Sequence, residues 1–208
     1  MPRIVMRHLP TLLPLAASLL STMLLVACGG GGPFDNPPLV DNPAQTAGRK
    51  LSFAYYQQCV HPILLMQLSV VHNGVRTQNT CASAGCHDDT SGTGGALRLR
   101  PAAAPVDLAD AALTPERIRD TDMYRNFYSA QGEAIPGQPL ASRLLTKPLL
   151  LNVLHGGGLV FDSADDPLVR RIAFWIGRPM PAGQDEFSRA ADSMFTPADP
   201  ATGACRVD

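Results

Sequence analysis

The chain has 208 residues, of which 45% are hydrophobic and 17% charged, and its formal net charge is −1. Nothing about this nearly neutral balance suggests a nucleic-acid partner, and we expect none. Beyond the N-terminal segment described next, the length suits one domain that buries a core of its own.

The N-terminal segment has the layout of an export signal. Two arginines precede a largely apolar run over residues 12–26, which ends in small residues before Cys28. The pattern resembles the signal of bacterial lipoproteins, in which such a cysteine is diacylated and becomes the new N-terminus. We therefore predict a signal peptide over residues 1–27 and lipidation of Cys28, with an uncleaved anchor or an ordinary secretory peptide as alternatives. Removing residues 1–27 takes away two of the seventeen basic residues and no acid, which leaves a formal charge of −3.

The segment after the signal is rich in residues that break regular structure. Four glycines follow Cys28, and prolines, asparagines and aspartates dominate the next residues. Such a composition predicts a flexible tether over residues 28–47, with a root-mean-square reach of about 25 Å. The remaining residues, 48–208, form the predicted domain.

The domain's sequence predicts short helices joined by long loops, and no alternating run is long enough for a sheet. We therefore expect an all-α fold. The best local signals belong to the last strong helix, where Asp166 caps, Pro167 follows and Gly177 ends the apolar stripe. In chain order the predicted helices are residues 49–71 with a kink at Pro62, residues 114–127, residues 140–145, residues 166–177 and, more weakly, residues 185–195.

A cysteine and histidine motif carries the strongest chemical signal. Cys81 and Cys86 are followed directly by His87 in the pattern C-x4-C-H. The usual attachment signature for haem c is C-x-x-C-H, in which two thiols bind the porphyrin covalently and the histidine is the proximal iron ligand. We predict one haem c, attached at Cys81 and Cys86, with His87 as an axial ligand. A Cys2His2 zinc site with His155 is a weaker alternative, because adjacent Cys86 and His87 can hardly bind one tetrahedral ion.

The other cysteines fit the same interpretation. Cys59 and Cys205 remain once lipid and haem are assigned, and two thiols in an oxidising compartment tend to pair. We predict a Cys59–Cys205 disulfide. The arrangement in which Cys81 pairs with Cys86 and no haem is bound uses the same number of cysteines equally well.

Several segments resemble small bacterial c-type cytochrome domains, including the planctomycete-type group. The resemblance covers roughly residues 50–180, and its most specific parts are the haem motif and the Trp-Ile helix. It implies that the all-α fold is cytochrome c-like, with short helices and long loops around one haem. In chain order the matching segments are Val60-His61-Pro62-Ile63-Leu64, the haem motif, Gly94-Gly95-Ala96-Leu97-Arg98-Leu99, Ser142-Arg143-Leu144-Leu145-Thr146-Lys147-Pro148 and Trp175-Ile176-Gly177.

The second iron ligand departs from the pattern of that family. Many members have a Met-Pro-Pro loop before the Trp-Ile helix, where this chain has His155 and three glycines. Glycines allow the backbone to approach a porphyrin closely, and imidazole binds iron well. We predict His155 as the distal ligand, with Met180 as its rival and an open site or a solvated histidine as further alternatives.

These features predict a lipid-anchored monohaem cytochrome that transfers single electrons. Two bound histidines would leave no open iron site, which favours electron transfer over catalysis. Its expected partners are an unidentified redox protein and, through Cys28, a membrane. Gly29 and Gly30 replace the aspartate that retains enteric lipoproteins in the inner membrane, so we expect the periplasmic face of the outer membrane, or else the cell surface. The alternatives are a haem-free lipoprotein with a local disulfide, and a haem sensor or peroxidase-like enzyme with an open iron position.

Overall fold

The computed structural model describes residues 45–46 and 48–208. The predicted signal, Cys28 and nearly all of the predicted tether lie outside these residues. In chain order the elements are α1 (Phe53–Tyr55), a π-helical turn (Tyr56–Val60), α2 (His61–Leu65), β1 (Leu68–His72), β2 (Val75–Asn79), α3 (Pro115–Arg119), α4 (Asp122–Gly132), a 3-10 helix (Pro139–Ala141), α5 (Arg143–Thr146), α6 (Pro167–Gly177), a second 3-10 helix (Arg189–Met194), β3 (Phe195–Thr196) and β4 (Ala204–Cys205).

The predicted all-α, cytochrome c-like fold class is wrong. Helices make up 33% and strands 10% of the structure, in two small antiparallel sheets. The helix predicted to reach Val71 ends at Leu65, and β1 then pairs with β2 around Asn73-Gly74. Both turn residues have positive φ, at 50° and 77°, as a tight hairpin turn requires. Asn-Gly between segments rich in Val and Thr is a hairpin signal, and it prevails over the helical spacing of the leucines.

The first helical segment changes its hydrogen-bond pattern where proline interferes. The backbone N–H of His61 donates to the carbonyl of Tyr56, five residues earlier, which is a π-helical bond. Pro62 has no N–H and cannot complete the regular ladder to Gln58, so the widened turn leads into α2. The kink predicted at Pro62 thus takes the form of a π-helical turn.

The later helices follow their local signals more closely. The predicted helix over residues 114–127 is divided into α3 and α4, because Thr121 caps a second start by accepting from the N–H of Tyr124. Helix α6 begins and ends as predicted, with the Asp166 carboxylate accepting from the N–H of Leu168. The weak segment at residues 185–195 contains only a 3-10 helix.

The core forms where the first helical segment packs against α6 and α4. Tyr56 and Trp175 are fully buried with ring centres 5.4 Å apart, and Phe127 packs edge-on against Tyr56 at 5.5 Å. The indole N–H of Trp175 donates to the Ser52 carbonyl at 2.9 Å, which satisfies the polar end of the ring. None of the described helices is long and apolar enough to span a membrane.

A disulfide between Cys59 and Cys205 joins the π-helical turn to β4. The two residues are 146 positions apart, so the bond holds the C-terminal strand pair against the first helical segment. The Tyr55 hydroxyl, which donates to the Arg206 carbonyl, lies on the same face. The C-terminal end of the chain is therefore held against the folded core.

Replacing both Cys59 and Cys205 with alanine should lower the free energy of unfolding by about 2–5 kcal/mol, because the unfolded chain gains the entropy that the bond removes. Urea unfolding of the oxidised protein and the double variant measures this difference. Addition of a reductant should lower the wild-type midpoint and leave that of the variant unchanged. Equal midpoints for the oxidised proteins would contradict the structural role of the bond.

His61 gives the fold a dependence on pH. Its ring is 4% exposed, and its Nε2 accepts from the Asn126 side-chain amide at 3.0 Å. Burial lowers the pKa of His61, so the ring is neutral in the folded protein. In the unfolded chain the His61 ring binds a proton near pH 6.5, its ordinary pKa. The free energy of unfolding therefore falls as pH falls below about 6.5 towards the lower pKa of the folded state, by up to ~1.4 kcal/mol per pH unit.

The His61→Gln variant should lose less stability than the wild type between about pH 7 and about pH 5, because glutamine keeps an acceptor and does not titrate in this range. Urea unfolding at both pH values measures the difference. His72→Gln is the matched control, because His72 is exposed on the hairpin and the structure gives it no buried partner. If the wild type and His61→Gln show the same pH dependence, His61 does not contribute to it.

Candidate functional site

A cavity of about 520 Å³ lies beside the hairpin, within the size range of small-molecule and cofactor sites. Its walls include Cys81, Cys86, His87 and His155, so the structure brings together the four residues that the sequence assigned to haem attachment and axial ligation. The apolar wall comes from separate elements, chiefly Ile63, Leu64, Leu68, Leu97, Leu144 and Ile172.

The loop that carries both thiols is folded by its own backbone. The N–H of His87 donates to the Cys81 carbonyl at 2.9 Å, and the N–H of Cys86 donates to the Ser83 carbonyl at 3.0 Å. Gly85, at φ 83°, provides the left-handed turn between them. These bonds place the two cysteines and the histidine on one wall of the cavity.

Cys81 and Cys86 are free thiols in the structure, so the local disulfide considered as an alternative is not formed there. Burial, followed by the charge of Cys86, raises the pKa of Cys81 to about 11. Cys86 accepts a weak hydrogen bond from the Asn79 side chain at 3.6 Å. Both cysteines therefore line the cavity as thiols that are not bonded to another cysteine.

One hydrogen bond holds the His87 ring and another holds its backbone. Its Nδ1 bonds the Leu97 carbonyl at 3.0 Å, and its own carbonyl accepts from the N–H of Leu99 at 2.7 Å. Because Nδ1 meets a carbonyl, it carries the proton, and Nε2 keeps a free lone pair. A bond from the ring N–H to a carbonyl is the one that metal-binding histidines commonly make.

His155 has the same arrangement on the loop between α5 and α6. Its Nδ1 bonds the Gly158 carbonyl at 2.7 Å. The following residue, Leu159, exchanges two backbone hydrogen bonds with Val71 of β1, at 2.8 and 2.9 Å. The hairpin that sequence analysis missed therefore holds the loop on which the predicted distal ligand lies.

The two imidazole rings are nearly parallel, with 10° between their planes and 6.2 Å between their centres. A metal–imidazole bond is about 2 Å long, and the ring centre lies roughly 1 Å beyond the bonded nitrogen. Two rings that bind one metal from opposite sides therefore have centres about 6 Å apart. In the described part of the chain, Nε2 of neither ring has a hydrogen-bond partner. The donor set and its spacing fit a bis-histidine haem.

Both histidines are in the protonation state that metal binding needs. Burial is the largest effect on the pKa of His87 and lowers it, and the hydrogen bond to Leu97 partly offsets this effect. Burial also lowers the pKa of His155. The two rings are therefore neutral at pH 7, and only a neutral imidazole has a lone pair for a metal.

Met180, the rival distal ligand, lies elsewhere. It is buried, its N–H donates to the Lys50 carbonyl at 2.8 Å, and it is not part of the cavity wall. Within residues 45–46 and 48–208, no group of three or more histidine, cysteine and acidic side chains is arranged to hold a metal ion.

Sequence analysis did not identify the polar part of the cavity wall. Arg143, Lys147 and Glu133 face the cavity from α5 and from the end of α4. The sequence signal for the first two was their spacing of four residues, which places side chains on one face of a helix. The surface that this face meets could not be read from the spacing alone.

No family model matches the chain, and no curated protein or solved structure is similar enough to count as a match. The comparisons therefore do not identify a cytochrome c domain, and the resemblance described above stays a prediction. Evidence about function therefore comes from the residues of the cavity wall and from the geometry of the cavity.

Gly94 should be intolerant of a side chain. A Cβ at this position would lie 2.5 Å from the Cys86 carbonyl oxygen and 2.7 Å from Nδ1 of His87, so the His87 loop would have to move. We expect Gly94→Ala to lower the free energy of unfolding by about 1–3 kcal/mol, as overpacking does, and urea unfolding measures this. Gly156→Ala is the control, because a Cβ there meets no atom within 4 Å. Equal stability of the two variants would show that the His87 loop is not tightly packed.

Proposed function

We propose that this protein is an exported, lipid-anchored cytochrome with one haem c, and that it carries single electrons. The observation that carries the proposal is the nearly parallel pair His87 and His155, with 6.2 Å between ring centres, in a cavity that also contains the thiols of Cys81 and Cys86. The resemblance to small bacterial c-type cytochrome domains supports the same function.

The chain's own residues account for binding and orientation. Cys81 and Cys86 would hold the haem covalently, while His87 and His155 would hold its iron from opposite sides. The carbonyls of Leu97 and Gly158 bond Nδ1 of the two imidazoles, which leaves Nε2 of each ring free to bind iron. When bound, haem supplies a one-electron iron couple whose potential depends on axial ligands, burial and nearby hydrogen bonds.

Two ligands from the protein favour electron transfer over catalysis. With His87 and His155 both bound, no iron position remains open for a substrate. Leu154, next to His155, is 91% exposed, so the loop that carries the distal ligand reaches the protein surface. A redox partner can therefore approach within one residue of the ligand without any change in the fold.

The proposed location follows from the lipoprotein-like signal. Lipid on Cys28 would attach the protein to a membrane, and residues 28–47 would let the domain move about 25 Å from the anchor. We place it at the periplasmic face of the outer membrane, with the cell surface as the other position that the sequence allows. An export compartment also suits the Cys59–Cys205 disulfide.

Expression of the full chain with a c-type maturation system tests the proposal. A haem stain on a denaturing gel should be positive for the wild type, and it should be lost or greatly weakened in the Cys81→Ala/Cys86→Ala double variant. The Cys59→Ala/Cys205→Ala variant is the matched control, because it removes two cysteines outside the cavity. Absence of haem from folded wild type would contradict the proposal and leave a haem-free lipoprotein.

The distal ligand is tested by spectroscopy on the same protein. The wild type should give the low-spin spectrum of two histidine ligands, and His155→Ala should become high-spin and gain binding of carbon monoxide. His72→Ala is the control, because His72 also borders the cavity but is exposed on the hairpin. An open iron position in the wild type would instead indicate a sensor or a peroxidase-like enzyme, and a ligand lost in Met180→Leu would assign the distal position to Met180.

A further inference from the structure

Helix α5 places two cations on the wall of the cavity. Arg143 and Lys147 are four residues apart, about one helical turn, so their side chains lie on the same face. Both are half-buried and both border the cavity. They come from a different part of the wall than the loop of Cys81 and Cys86.

Neither cation has an acidic partner in the described part of the chain. Arg100, Arg119 and Arg125 all form ion pairs with aspartate or glutamate at 3.0 Å or less, whereas no ion pair involves Arg143 or Lys147. Glu133 borders the same cavity, yet it lies beyond the 4.0 Å limit for an ion pair with either of them. Partial burial of an unpaired charge is unfavourable, and two such charges around one cavity indicate an anionic ligand.

Lys147 borders the same cavity as His87 and His155. A ligand that fills this cavity between the two imidazoles is therefore within reach of the cation.

We propose that Arg143 and Lys147 bind the two carboxylates of the haem, in addition to the thiol and histidine contacts. This inference rests on the proposed function, because the haem propionates are the anions that it names. Arginine binds a carboxylate through two parallel N–H groups, and lysine acts as a compact point charge. The porphyrin vinyl groups and propionates lie on different edges of the ring, which matches thiols and cations on separate segments of the wall.

The first test is the midpoint potential of the covalently loaded full-length protein. Positive charge near the iron favours the reduced state, so the Arg143→Gln/Lys147→Gln variant should have a lower potential than the wild type. We expect the equilibrium constant for reduction to fall about tenfold, which is about 59 mV for one electron. Arg170→Gln is the matched control, because Arg170 is an exposed helical arginine outside the cavity wall and should leave the potential unchanged.

A second measurement separates carboxylate binding from a general effect of charge. The Cys81→Ala/Cys86→Ala protein is titrated with haemin and with haemin dimethyl ester, whose carboxylates are blocked. We expect about tenfold tighter binding of the dicarboxylate, as one or two charge-assisted hydrogen bonds provide, and loss of this preference when Arg143→Gln and Lys147→Gln are added. His155→Ala should weaken the binding of both ligands and keep the preference.

The outcomes distinguish the two proposals. Covalent haem in the wild type and in the Arg143→Gln/Lys147→Gln variant, with equal potentials, together with equal affinity of the Cys81→Ala/Cys86→Ala protein for both forms of haemin, would overturn the role of Arg143 and Lys147 and leave the cytochrome intact. A folded wild type that gives no haem stain, together with a folded Cys81→Ala/Cys86→Ala protein that binds no haemin, would overturn the proposed function and this inference with it. A lower potential together with loss of the dicarboxylate preference supports both.

Discussion

The site depends on two backbone carbonyls that each hold one imidazole. The Leu97 and Gly158 carbonyls bond Nδ1 of His87 and His155, which leaves both Nε2 atoms free and the rings 10° from parallel. Each carbonyl belongs to a loop that is tied by backbone bonds to another segment, one through Leu99 and the other through Val71. Rigid support of this kind limits rearrangement when a ligand group is bound.

Caps, prolines and apolar spacing predicted those helices that depend only on residues close to each other in the sequence. Helix α6 has its cap, its proline and its apolar stripe within twelve residues, and it forms as expected. The hairpin β1–β2 was missed because the leucines and valines up to Val71 also fit a helical spacing. Missing this hairpin contributed to the wrong fold class, since the structure has strands in two small antiparallel sheets and is not all-α.

The site was predictable where one short motif contains the chemistry. Cys81, Cys86 and His87 lie within seven residues, and His155 stood out through its glycines. Arg143 and Lys147 could not be assigned to the cavity, because their role depends on how α5 packs beside α6 and the hairpin. The bond between Val71 and Leu159 is likewise a contact between distant segments, and no pattern in either segment indicates its partner.

The four cysteines of the domain also impose an order on its biogenesis. They allow three pairings, and the native one joins residues that are 146 positions apart while Cys81 and Cys86 stay reduced. In the unfolded chain the short loop between Cys81 and Cys86 closes at a smaller entropic cost, and Cys205 is synthesised last. Rapid oxidation therefore favours the wrong pair kinetically, and the yield of protein with the native pairing depends on thiol–disulfide exchange during maturation.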